Sequence, residues 1–291
     1  MIRREAAPPY DDRARWPGWW AAWQGWPRSP IFRSELRYWE RRLGGGWRLS
    51  DGLAWLALFN LCLLPAALLI YPPLLVGYGL LDEALGWLMA LPAVWGVVRE
   101  RRGQTWALLR ATPLSASEIV LGKLAALTAL TREGAGLVAR ARWLGTALAL
   151  PLFGLMLITD RSSPFTAAWP AWGGAALLGG AYGLFIYRPQ INALSGACLG
   201  LACSTLEPRV GVSLAYALAA GGALALSGLL LLLVIAGPPL AAGVFGPSLL
   251  AGRLEQIFVW LLPWAIFTLG RAGLIPAGLA WTVWRLPHLE E

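Results

Sequence analysis

Residues 210–236 read VGVSLAYALAAGGALALSGLLLLLVIA, with no charged side chain. A helix of about 20 apolar residues crosses a bilayer, so this run is long enough to do so alone. The rest of the chain has the same character, at 57% hydrophobic and 14% charged residues with 18 Trp. A soluble monomer of that composition would expose far more apolar surface than such proteins tolerate. The sequence therefore predicts an all-α protein, a polytopic transmembrane helical bundle.

Further spans are expected on either side of 210–236. The first covers 53–71 and is closed by Pro72-Pro73, and the second runs from 78 or 84 to 98. A third is expected over 143–159, and Asp160 to Pro164 read as a short outer loop. The stretch 169–206 is too long for one straight crossing and is interrupted at Tyr187-Arg188-Pro189-Gln190. It is either one broken span or two, and one interrupted span is preferred. After 236, Gly237-Pro238-Pro239 begins an outer segment through Gly252 whose composition favours short or re-entrant helices. The last apolar region, 257–284, carries Pro263, Gly270-Arg271 and Pro276 and is expected to be kinked or split. Counting 169–206 once gives about six spans.

Charge placement sets the orientation. Two blocks, 1–51 and 99–142, hold 18 of the 24 Lys and Arg residues. Such bias marks cytoplasmic segments. The loop around Asp82 and Glu83 has no basic residue and is expected outside. The net charge of +8 thus reports topology and contact with anionic lipid heads, not a nucleic-acid surface. Arg3 and Arg4 lead into Pro8 and Pro9 without an apolar core, so no cleavable signal is read and the N-terminus is expected in the cytoplasm.

Two regions follow. Residues 1–50 read as a cytoplasmic arm and an interfacial helix, and 51–291 as the transmembrane domain with a cytoplasmic loop over 99–141. In the arm, Trp16, Trp19, Trp20, Trp23 and Trp26 suit the headgroup level. The interfacial helix is expected over 30–43, with Ile31, Leu36, Trp39 and Leu43 on an apolar face. Arg33, Arg37, Arg41 and Arg42 would lie near phosphates, and Gly44-Gly45-Gly46 would end the helix.

The loop holds the most informative polar pattern, RERRGQTWALLRATPLSASEIVLGK over 99–123. Ser115-Ala116-Ser117-Glu118 has the form of a capping box, with Leu114 and Ile119 at the flanking staple positions. Pro113 limits helix upstream. A short helix with a fixed start, held between two spans, can receive force from a soluble partner.

These residues also resemble a family. Thr105-Trp106, Leu108-Leu109, Thr112-Pro113-Leu114-Ser115, Glu118-Ile119 and Gly122-Lys123 look like the loop between spans two and three of type 2 ABC transporter permeases. Ala107 departs from that pattern, where an acidic residue is common. The resemblance extends more weakly to 29–37 and to Gly200-Leu201-Ala202-Cys203-Ser204 before Glu207-Pro208-Arg209. It implies the membrane subunit of an ATP-binding cassette exporter in a bacterial or archaeal plasma membrane. Its partners would be cytoplasmic ABC ATPase subunits, a second permease subunit (identical or related) and membrane lipids. It further implies that the loop docks on the ATPase through Glu100, Arg101, Thr105, Thr112, Pro113, Leu114, Ser115, Glu118, Ile119 and Lys123.

The chain reads as a transport subunit and not as an enzyme. Gly122-Lys123 lacks the earlier glycine and the following Ser or Thr of a P-loop, so ATP would be hydrolysed by a separate subunit. No cofactor, metal or catalytic residue is expected. His288 is the only His, and Cys62, Cys198 and Cys203 have no metal or disulfide spacing. Asp82 and Glu83 read as loop charges. Asn60, Asn192, Arg188 and Arg271 are the candidates for buried polar groups, although Arg271 could equally snorkel to an interface. Few fixed charges suggest no ion or proton pathway and a lipid-like or amphipathic substrate. Gly179 to Gly183 and Gly196 to Gly200 have spacings that permit close helix contact. The rival reading is a membrane-embedded structural or assembly protein whose basic loop binds a non-ATPase partner or lipid.

Overall fold

The computed structural model describes residues 30–43, 57–59, 61, 74–103, 114–159, 171–241 and 253–286. These form six helices: α1 Pro30–Leu43, α2 Leu74–Arg102, α3 Ala116–Thr159, α4 Ala171–Leu206, α5 Val210–Ala241 and α6 Arg253–Arg285. No strand occurs among the described residues. Three helices contain stretches long and apolar enough to cross a membrane: Gly79–Arg102, Val210–Leu231 and Leu262–Arg285. The protein is thus helical and partly membrane-embedded. Of the expected first span only residues 57–59 and 61 are described, as helix, and the Asp160 loop, the Trp-rich arm, Asn60, Cys62 and His288 lie outside the described residues.

Local chemistry explains several boundaries. Pro30 opens α1, where its missing N–H would have had no partner, and Arg41 and Arg42 sit in the last turn, where cations are favoured. Pro208 separates α4 from α5, and only residues 207–209 join them. So short a connection makes the two helices antiparallel neighbours.

The cross-helix contacts give the direction of every long helix. Going up α2, Glu83 meets Asn192, Gly86 meets Gly196 and Ala90 meets Gly200, so α2 and α4 run parallel. Gly79 meets Trp264 and Cys198 meets Gly278, which sets α6 in the same direction. Asp82 instead contacts Arg142 while Glu100 contacts Lys123, so α3 runs opposite to α2. Trp87 packs on Gly221, whereas Val98 lies in one cluster with Val210, so α5 is also antiparallel. The bundle alternates up and down. One end, here called the basic end, gathers α1, Arg99–Arg102, the start of α3 and the end of α6. There Ile31, Trp39, Ile119, Val120 and Leu286 share a buried cluster.

Small residues let α2 and α4 approach closely. A Cβ at Gly196 would strike the Gly86 carbonyl, and one at Gly200 the Ala90 carbonyl. The Gly196 to Gly200 spacing is therefore used, while Gly183 has open space beside it.

Several boundaries differ from expectation. Residues 171–206 form one continuous helix despite Pro189. Residues 253–285 are likewise one helix, with Pro263 and Pro276 inside, and are not split. The helix α5 continues through Pro238 and Pro239 to Ala241, where an outer segment was expected. Most of the expected 99–141 loop is also helix: α2 extends to Arg102, and α3 runs 44 residues from Ala116 without a break at 142. The capped helix is therefore not short. Good helix formers fill 116–130, and no Pro interrupts 116–150.

Candidate functional site

Two buried charge clusters mark the ends of α2. Asp82 and Glu100 are 18 residues apart, about 27 Å along a helix. Lys123 and Arg142, their partners on α3, are 19 residues apart, about 29 Å. Both separations approach the roughly 30 Å thickness of a bilayer core. The part of α3 beside the candidate span of α2 is thus 123–142, although the third crossing was expected only from 143.

At the basic end, Lys123 is 3% exposed and its Nζ donates to Glu35 Oε1 at 2.7 Å and to Glu100 Oε1 at 2.6 Å. Arg99 adds a second cation, 3.0 Å from Glu35. Three helices are tied by this one ammonium group, because Glu35 is on α1, Glu100 on α2 and Lys123 on α3. Glu35 shares the buried stripe of α1 with Ile31 and Trp39, at spacing four, so the buried face is apolar with an acid in the middle. Leu36 is only half-buried. Burial pushes the Glu35 carboxyl up, but Lys123 and Arg99 more than offset it and hold it below the ordinary glutamate value. Tyr38 lies alongside, its ring 3.8 Å beneath the Arg99 guanidinium and its hydroxyl bonded to Trp95 Nε1 and Arg42.

The start of α3 has both halves of the capping box. Ser115 N–H donates to Glu118 Oε2 at 2.7 Å, and Glu118 N–H donates to Ser115 Oγ at 3.2 Å. Ile119 is buried, and Leu114 packs against the same cluster. The expected coupling residues thus separate. Glu100 and Lys123 are buried in the ionic hub, and Arg101 donates to the Ser204 carbonyl near the end of α4. Ser115 is half-buried and Glu118 exposed. Thr105, Thr112 and Pro113 lie outside the described residues.

The second cluster, near the other end of α2, overturns the reading of Asp82 and Glu83 as loop charges. Both are on α2 and buried, at 0% and 4% exposure. An alternating chain runs Arg142, Asp82, Arg188, Glu83, Arg271. Arg142 pairs with both Asp82 oxygens at 2.7 and 3.0 Å, and Arg188 Nε lies 3.4 Å from Asp82. Arg188 reaches Glu83 at 2.7 Å, Arg271 takes the other Glu83 oxygen, and Asn192 donates to Glu83 at 3.1 Å. Aromatic faces cover the cations, with Arg188 4.1 Å from the Trp264 ring and Arg142 4.4 Å from Phe185. Arg271 is therefore buried and paired, not snorkelling. Arg142, expected with the cytoplasmic basic block, belongs instead to this cluster.

Arg142 has a further role. Pro189 has no N–H, so the Phe185 carbonyl four residues earlier loses its usual helix partner. Arg142 donates to that carbonyl at 2.7 Å. The cluster thereby joins four helices and repairs a proline break. Among the described residues, its buried atoms without a hydrogen bond are Arg188 Nε, Arg271 Nε and Asn192 Oδ1, a donor and acceptor mixture of the kind internal water joins. Few fixed charges was thus a mistaken premise. Cys198 and Cys203 are free thiols buried in α4, and no metal-binding group of three His, Cys, Asp or Glu occurs among the described residues.

No family model matches the chain, and no match is found among curated proteins.

Proposed function

We propose that this chain is the membrane subunit of an ATP-binding cassette exporter. Six spans would carry an amphipathic substrate by motions driven from a separate ATPase. The observation that carries this reading is the junction at the basic end. A reciprocally capped helix start lies eight residues from Lys123, which binds carboxylates on two other helices. A push on 104–118 would be delivered at once to α1, α2 and α3. The alternation of the five long helices favours one crossing each, and a first span over 53–71 would complete six. The basic end, rich in arginine, would face the cytoplasm. Two permease subunits and two ATPases would form the working assembly.

The rival, a structural membrane protein, draws on the same charge clusters, since they pin five of the six helices together. Affinity purification from native membranes with mass spectrometry separates the two. An ATPase subunit bearing a P-loop should co-purify, and Glu118→Arg should reduce its yield or its permease-dependent ATP hydrolysis while the bundle stays folded. Full retention of both activities in that variant would reject the coupling role.

A further inference from the structure

The outer side of α1 carries an open groove of about 800 Å³ whose described lining is Pro30, Arg33, Ser34, Arg37, Tyr38, Arg41 and Arg42. Arg33, Arg37 and Arg41 recur at spacing four, so their side chains stack along one stripe of the helix. Like charges in that arrangement destabilise a helix. Arg37 and Arg41 are exposed, and among the described residues no carboxylate lies within ion-pair distance of them. The opposite side of α1, through Ile31, Glu35 and Trp39, is fixed in the bundle, and this side is exposed among the described residues.

We propose that this groove binds the phosphate of an anionic phospholipid headgroup. Position selects lipid over a soluble partner. Tyr38 forms part of the lining, and its hydroxyl is bonded to Trp95, two turns from the end of the candidate span Gly79–Arg102. Arg42 lies 4.8 Å over that same Trp95 ring. Tyr and Trp concentrate where a span leaves the hydrocarbon, at headgroup depth. The groove is thus level with lipid phosphates. Planar guanidiniums at Arg37 and Arg41 match phosphate oxygens in paired hydrogen bonds. This site stands independently of transport, and either reading of the function could keep or lose it.

The test is native mass spectrometry of the full chain, titrated with phosphatidylglycerol or phosphatidylcholine in detergent. Wild type should retain phosphatidylglycerol preferentially. Arg37→Gln with Arg41→Gln should weaken that binding roughly 30-fold, at about a factor of five per arginine near an anionic surface. Phosphatidylcholine binding should be unchanged. Arg37→Lys with Arg41→Lys should keep much of the preference, which separates charge loss from misfolding. Equal retention of the two lipids by wild type would overturn the proposal, as would an unchanged preference in the double Gln variant. So would displacement by inorganic phosphate at the lipid's own concentration, which marks a soluble-anion site. Displacement by an acidic peptide at that concentration would assign the groove to a protein partner.

Discussion

The two charge clusters use the same ingredients to different ends. In the Asp82 cluster, every cation and carboxylate is buried and the members come from four helices spread over most of the chain. In the Lys123 cluster, Arg99 keeps 30% of its side chain exposed and the exposed arginines of α1 lie nearby. Removing one partner should therefore have unequal consequences. In the first cluster Asp82 would keep only its longer contact with Arg188, in a site closed to bulk solvent. In the second, a neighbouring cation and solvent remain. The first arrangement suits a fixed joint, and the second would suit the proposed coupling, in which the joint yields to a push.

The largest effect is expected at Arg142. Arg142→Met removes both hydrogen bonds to Asp82, leaving it only the longer 3.4 Å contact with Arg188 Nε, and also removes the donor to the Phe185 carbonyl. Breaking a buried pair in this way costs about 3–5 kcal/mol. Pro189→Ala in that background restores an N–H for Phe185, and should recover about 1 kcal/mol. Unfolding free energies in mixed micelles measure both. If Pro189→Ala gives no recovery, Arg142 does not substitute for the missing helix bond.

Lys123→Met should cost less, about 1.5–3 kcal/mol, in the range of hydrogen bonds to charged groups. Arg99 remains 3.0 Å from Glu35 and 3.8 Å from Glu100 to hold the two acids. A loss as large as that of Arg142→Met would erase the contrast between the clusters.

Acidity sharpens the comparison further. The Glu35 carboxyl is held below its ordinary value, so the unfolded chain takes up its proton first as pH falls. Its stabilisation is fully present above the unfolded value of about 4.3 and is lost as pH drops through the lower folded value. The stability gap between wild type and Glu35→Gln, about 1 kcal/mol at neutral pH, should close below that range in thermal unfolding. A gap that persists into acid would show that Glu35 acts through packing and not through its charge.

What was legible in the sequence divides along the same line. The capping box, the extent of α1 and the apolar run of α5 are local patterns, carried within a few turns of helix. Asp82 and Glu83 were misread because their partners lie 60, 105 and 188 residues away. The signal was nevertheless present. Arg188 and Arg271 in apolar stretches need counter-ions, and the acid pair is close to an apolar run that lacks cations of its own. Pairing the two observations would have moved Asp82 and Glu83 from a loop into a helix. The length of α3 was hidden for a related reason: Lys123 and Arg142 look like surface charges until the acids that neutralise them are placed.

The smallest effect is expected at the cap of α3, and it bears most directly on the proposed coupling at the basic end. Ser115→Ala removes the acceptor for the Glu118 N–H but leaves the Ser115 backbone N–H bonded to the Glu118 carboxylate. Half of the box survives, and Ser115 is half-exposed, so water can take over part of the lost bond. The cost should fall at the lower end for caps, about 0.5–1 kcal/mol. Glu118→Gln keeps a side chain that can close the box but loses a negative charge favoured at a helix N-terminus by about 0.3–1 kcal/mol. Hydrogen exchange read by mass spectrometry should show faster exchange at 116–119 in Ser115→Ala, by a few-fold, with amides around Asp82 and Arg188 unchanged. Faster exchange at both places would mean that the two clusters open together, so that a local push at Ser115 reaches Asp82 directly. Unchanged exchange at 116–119 would mean that burial of Ile119 alone fixes the start of α3.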